Sequence, residues 1–206
     1  MTRFLSLVLM LFLAGLPACS RITRPGGDLE IHSLQSPATL TPAIRTACYR
    51  RIDSGSADLY FSDLPESRLA DADDDLAGAS GSILQIHLFL EPSAGNTPID
   101  DTACNAIVRH VVLAQGAATT GAAAEVVGVY GGGGFFYPSG SVGDEVFGGS
   151  IRDGTHRLTA STPGFKDLLG PASLEGKLVA ARDDDLALAI QSQLERLIRK
   201  TKSPTP

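Results

Sequence analysis

The residues of this chain whose types could do chemistry are four histidines, two acidic runs, a glycine-aromatic stretch and three cysteines. His87 and His110 sit in two apolar segments that a hairpin would bring together, but two imidazoles alone do not complete a metal site, which needs a third ligand in a matching direction. His32 and His156 have no partner at the four-residue spacing of one helix face. Asp71-Ala72-Asp73-Asp74-Asp75 alternates like the start of a calcium loop, yet Leu76 stands where such a loop turns on Gly and Ser82 where it supplies Glu. A solvated loop or one helical turn is the expectation there. Gly131-Gly132-Gly133-Gly134 precedes Phe135-Phe136-Tyr137-Pro138. Neither Lys-Ser/Thr nor a helical pattern follows these glycines, so a phosphate-cradling loop is rejected. Two readings stay open. The glycines let a strand bulge or approach its neighbour while the aromatics enter the core, or they carry a loop tipped with Phe135, Phe136 and Tyr137 that contacts a ligand or partner. Gly-x-Ser-x-Gly, His-Glu-x-x-His and paired catalytic carboxylates do not occur, so no catalytic residue, metal ligand or cofactor is assigned.

The N-terminus carries the most specific signal. Arg3 precedes the apolar run Phe4 to Ala14, and Gly15 to Pro17 makes a turn before a small-residue site. That is the layout of a secretory signal, and the run is shorter than the roughly 20 apolar residues a membrane-spanning helix needs. Leu16-Pro17-Ala18-Cys19 resembles the lipobox of bacterial lipoproteins, with Pro17 a departure at its most variable position. The resemblance implies cleavage before Cys19, a diacylglyceryl thioether on that cysteine and an acylated N-terminus. Ser20 at the next position implies delivery to the outer membrane. Acyl chains contribute about 0.8 kcal/mol per buried CH₂, so such an anchor holds a protein on a bilayer without a spanning helix.

Removing residues 1–18 takes away Arg3 and no acid, moving the net charge from −6 to −7. An acidic domain is a poor partner for nucleic acid. With Cys19 committed to lipid, Cys48 and Cys104 remain as a pair in an oxidising compartment, and a disulfide is expected. It would stabilise the fold by about 4 kcal/mol on chain-entropy grounds.

Residues 19–27 are rich in Arg, Pro and Gly and read as a tether. A single globular domain over 28–202 follows, with a frayed tail at 203–206. Alternating or β-branched runs mark strands at Asp28–Ser33, Ala43–Arg51, Ala57–Ser62, Ser82–Leu90, Ala106–Ala114, Glu125–Tyr130 and Ser173–Ala181. On Ala57–Ser62, Leu59 and Phe61 point one way while Asp58 and Tyr60 point the other. Gln85 and His87 interrupt the otherwise apolar Ser82–Leu90. Arg152-Asp153-Gly154 predicts a hairpin between Glu145–Ile151 and Thr155–Thr159. Asp183-Asp184-Asp185 opens a helix in which Leu186, Ile190, Leu194, Leu197 and Ile198 share one face and Arg196, Arg199 and Lys200 complement the dipole at its end.

Sequential strands with one terminal helix give a mainly β (α+β) fold: an antiparallel meander sheet, open barrel or sandwich, with the C-terminal helix across it. The function expected is that of a non-enzymatic, lipid-anchored cell-envelope protein that binds a small apolar ligand or an envelope component. A structural or assembly factor acting through protein partners is the alternative, and an unrecognised periplasmic hydrolase the lesser one.

Overall fold

A computed structural model describes residues 24–89, 104–115 and 125–202. The lipobox with Cys19, residues 90–103 and 116–124 and the tail 203–206 lie outside them. The strands are β1 (Gly26–Ser33), β2 (Thr39–Leu40), β3 (Thr46–Arg51), β4 (Ala57–Ser62), β5 (Gly81–Leu88), β6 (Ala106–Gln115), β7 (Glu125–Pro138), β8 (Val146–Ser161) and β9 (Ala172–Arg182). Two helices accompany them, α1 (Glu66–Leu69) and α2 (Asp184–Lys202). The antiparallel meander with a helix across it is what forms, and its first strand already includes Gly26 and Gly27, the last two residues of the expected tether.

Strands β3 to β8 pair with their successors antiparallel, and β8 pairs with β9 in the same sense. Ala181 and Arg182 of β9 then run parallel to Cys48 and Tyr49 of β3, which closes a seven-stranded ring. The same edge of β9, from Ala172 to Val179, is taken by β1, with β2 outside it. One strand edge is thus divided between two partners.

Period-two alternation sorts the side chains onto two faces. Tyr49, Leu59, Phe61, Ile86, Val108, Phe136 and Phe147 fill the interior. A ring this narrow has only room for its own side chains. The opposite face of β3 to β7 presents Cys48, Tyr60, Ile83, Val111, Val127 and Val129 to Leu186, Ile190, Leu194 and Leu197 of α2. Burying those four α2 side chains, at about 2 kcal/mol each, is what holds the helix down. Asp183 accepts the Leu186 N–H at 2.9 Å, so the acidic triplet does cap the helix. The loop after α1 is clamped onto the same helix. Gln193 Nε2 donates to the carbonyls of Arg68 and Asp71, and Arg196 donates to that of Asp74. The Asp74 carboxylate is held by the Arg68 guanidinium.

Two expectations change here. Arg152-Asp153-Gly154 is not a hairpin turn: β8 runs unbroken through it, with a register shift between Ile151 and Gly154 and Asp153 at φ 51°. Asp-Gly supplies the left-handed residue that a bulge needs as well as one that a turn needs. The four glycines are strand as well, with a matching register shift between Gly133 and Phe135. A Cβ on Gly132 would lie 1.8 Å from the Thr155 carbonyl oxygen, and one on Gly134 would lie 2.6 Å from the Gly154 Cα. The two backbones come this close because Gly132 and Gly134 place no Cβ between them.

Candidate binding groove

Register assembles the outer face into rows. Arg50 pairs with Asp58, Asp58 with His87 and His87 with Ile107. In the next row on that face Cys48 pairs with Tyr60, Tyr60 with Gln85, Gln85 with Arg109, Arg109 with Gly131 and Gly131 with Arg157. Helix α2 covers the apolar row beyond these and leaves the polar residues along its flank.

Asp58 is the anchor of the first row. Its side chain is 6% exposed and its charge is fully engaged: Oδ2 accepts from Arg50 Nε and Nη2 at 3.1 and 2.9 Å, and Oδ1 accepts from His87 Nδ1 at 2.7 Å. An ionised carboxylate only accepts, so Nδ1 carries the proton and Nε2 is the imidazole nitrogen left to the cleft. In the second row Arg109 donates to Gln85 Oε1 at 3.1 Å, and Gln85 donates to the Tyr60 hydroxyl at 3.3 Å. Burial raises the Tyr60 phenol well above its ordinary value and keeps it neutral. No carboxylate pairs with Arg109 among the described residues.

Asp58, His87, Arg109 and Gln191 of α2 border a cleft of about 280 Å³. Arg109 also borders a second, of about 600 Å³, floored by Val129, Ala160 and Ile198 and rimmed by Arg199 and Lys202. The two meet at Arg109 and form one groove beside α2.

The residues singled out by sequence fall elsewhere. Phe136 is wholly buried in the interior, whereas Phe135 and Tyr137 point outward from β7, with Tyr137 under the Arg152 guanidinium at 5.7 Å. They tip no loop. Cys48 and Cys104 are free thiols, which corrects the expected disulfide. Cys48 lies on β3, and Cys104 precedes β6, three strands away and five residues before Arg109, which shares the Cys48 row. Strand spacing alone separates them by about 14 Å, twice the Cα distance a disulfide can bridge. Burial, reinforced by the Asp183 charge, pushes the Cys48 thiol up to about 12.

His87 and His110 do not meet either. Leu84 is the partner of His110, so His87, three residues on, faces the other side of the sheet. His110 instead meets His156 inside the barrel, with Nδ1 and Nε2 3.4 Å apart and the ring planes within 4°. Tyr130 packs on both rings and donates to Asp167 at 2.7 Å. Burial, with the neighbouring His156, depresses His110 to about 3, and burial lowers His156 as well. Burial opposes ionisation of Asp167, but the Tyr130 hydroxyl and the Gly170 and Leu169 N–H groups outweigh it and lower its value. His110 Nε2 and His156 Nδ1 are buried with no hydrogen-bond partner among the described residues. Among the described residues no three His, Cys, Asp or Glu side chains are placed to hold a metal ion.

Sequence reasoning missed the groove because its members come from five strands and a helix. The usable signal was local: Asp58 with Tyr60, and Gln85 with His87, are the polar interruptions of two otherwise apolar strands.

The fold and site together define a closed, mainly antiparallel barrel with a C-terminal helix laid across its outer face and a groove along that helix. No protein-family model matches the chain, and no curated protein or solved structure is significantly similar to it.

Proposed function

We propose that the chain is a lipid-anchored, non-enzymatic cell-envelope protein that binds an envelope component along the groove beside α2. The observation that carries this reading is Arg109, a guanidinium with no carboxylate partner among the described residues, which borders both a polar cleft and an apolar-floored one. Such a surface suits an amphiphilic partner. The interior offers less: Tyr49, Phe61, Phe136 and Phe147 occupy it, all at 2% exposure or below. An apolar ligand would therefore sit outside the barrel, on Val129, Ala160 and Ile198. Anchoring rests on the lipobox at Cys19, and the described residues contain no helix long and apolar enough to cross a membrane.

A photoreactive amino acid placed at Thr159, beside the apolar floor, tests the reading in cells. Lys177 is the control, since its partner Ser150 lies nine positions from Thr159 along β8. The expected result is one defined adduct from Thr159 and none from Lys177. Equal labelling from both positions would refute a groove-directed function. Labelled palmitate incorporated into the wild type and absent from Cys19→Ala checks the anchor.

A further inference from the structure

Strand direction sorts the ends of the strands onto two mouths of the barrel. β3, β5, β7 and β9 run one way and β4, β6, β8 and β1 the other, so the ends of the first set and the starts of the second share one mouth. Four large apolar side chains stand out there. Ile52 follows β3, Phe89 follows β5, Tyr137 is next to last in β7 and Val146 opens β8, and each is 40–46% exposed. Exposed Ile107, second in β6, lies on the wall below the same rim. The opposite mouth carries Leu34, after β1, and Leu168, before β9. Seven strands about 4.8 Å apart and tilted about 40° make a ring about 14 Å across, narrow enough for one flat surface to meet all four side chains of the rim.

Scattered exposed apolar residues need no explanation, whereas four on one rim mark a contact surface. The position of the N-terminus says what that surface meets. β1 starts at this mouth, so the chain enters the barrel from the same end. Cys19 lies seven residues before Gly26, a reach of at most about 25 Å. From this we infer that the mouth rimmed by Ile52, Phe89, Tyr137 and Val146 is the face on which the barrel rests against the bilayer, with these side chains entering just below the lipid head groups. This rests on the anchor at Cys19 and adds the orientation of the domain. Tyr137 suits that depth, because its ring can sink while its hydroxyl and the Arg152 guanidinium, 5.7 Å over the ring, stay at head-group level. The attraction is apolar rather than electrostatic. Asp53, Asp144, Glu145 and the three acids at the start of α2 stand around the same mouth and outnumber Arg24, Arg51, Arg152 and Arg182. A zwitterionic surface therefore suits it better than an anionic one.

The test uses the full chain, purified from cells in detergent and reconstituted into phosphatidylcholine vesicles. A trace of phosphatidylcholine with a photoreactive group in its acyl chain labels whatever enters the bilayer, and mass spectrometry locates the label. The expected result is label on Phe89, Tyr137 and Val146 and none on Leu34 or Leu168. Covering the exposed part of one such side chain favours docking about fourfold. Ile52→Ser combined with Val146→Ser should therefore lower the labelling of Tyr137 about tenfold or more, with the circular dichroism spectrum unchanged because both positions are exposed. Replacing part of the phosphatidylcholine with phosphatidylglycerol should lower the labelling as well. Label on Leu34 and Leu168 as strong as on the rim, undiminished labelling of Tyr137 in the double variant, or stronger labelling with phosphatidylglycerol overturns the inference. Palmitate incorporation separates the two readings: palmitate on Cys19 without rim label leaves the anchor and removes the docking face, whereas rim label without palmitate removes the anchor and leaves the docking face.

Discussion

Acidification should weaken this fold well before its carboxylates protonate, through the two imidazoles inside the barrel. His110 is held near 3 in the folded state against an ordinary 6.5. Below pH 6.5 the unfolded chain therefore takes up a proton that the folded chain refuses, and stability falls as pH falls. Each pH unit costs about 1.4 kcal/mol per such group, so lowering pH from 6.5 to 5 removes about 2 kcal/mol through His110 alone. His156 is lowered too and adds to the loss in the same direction. Asp74 and Asp167 are lowered from 3.8, so their contribution is present above that value and goes only at more acid pH. The window between pH 6.5 and 4.5 thus reports the buried pair. Urea unfolding followed by circular dichroism should show a midpoint about 1 M lower at pH 5 than at pH 7, for a slope of about 2 kcal/mol per M. His110→Leu combined with His156→Leu should flatten that dependence, and the comparison cancels the exposed His32 and half-buried His87. A wild-type midpoint that does not move, or a double variant that keeps the full dependence, would refute the account.

Other outcomes follow from the packing. Leu194→Ala, in the centre of the α2 contact, should cost about 3 kcal/mol and lower the melting temperature by several degrees in calorimetry. Gly132→Ala sets a methyl against the Thr155 carbonyl and should abolish the folded circular dichroism spectrum or leave the protein insoluble, whereas Gly164→Ala meets open space and costs only the strain of φ 85°. Native protein treated with a maleimide should label Cys104 first and leave Cys48 unreacted until urea is added, because burial holds the Cys48 thiol protonated. Reducing agent should leave the unfolding midpoint unchanged, since no bridge joins the two.

Much of the fold was legible because strands and helix announce themselves by period. Leu59 and Phe61 against Asp58 and Tyr60, or Leu186, Ile190, Leu194 and Leu197, need no tertiary information to sort inward and outward. Local chemistry misled where it was degenerate. Asp153-Gly154 fits a turn and a bulge equally, and only the partner strand decides. The cysteine pair followed from compartment and parity, neither of which measures distance. The groove was hidden for a related reason: Asp58, His87, Arg109 and Gln191 become neighbours only once the register of β4 to β6 is fixed and α2 is laid across it. The polar interruptions were visible, but the diagonal between them was not.

The divided edge of β9 also sets an order of events. Gly26 pairs with Val179 and Ser33 with Ala172, so β1 waits for a partner made about 140 to 150 residues later. The same late segment supplies Ala181 and Arg182, on which the ring closes. While the chain is being delivered, β3 to β8 can pair in succession, but their meander stays open and β1 has only the two-residue β2 beside it until the last strand arrives. Contacts this distant in sequence are slow to form and leave apolar edges uncovered meanwhile. The newborn chain is therefore most dependent on chaperones in the interval before residue 182 emerges, and a truncation before β9 should yield an aggregating sheet rather than a smaller barrel.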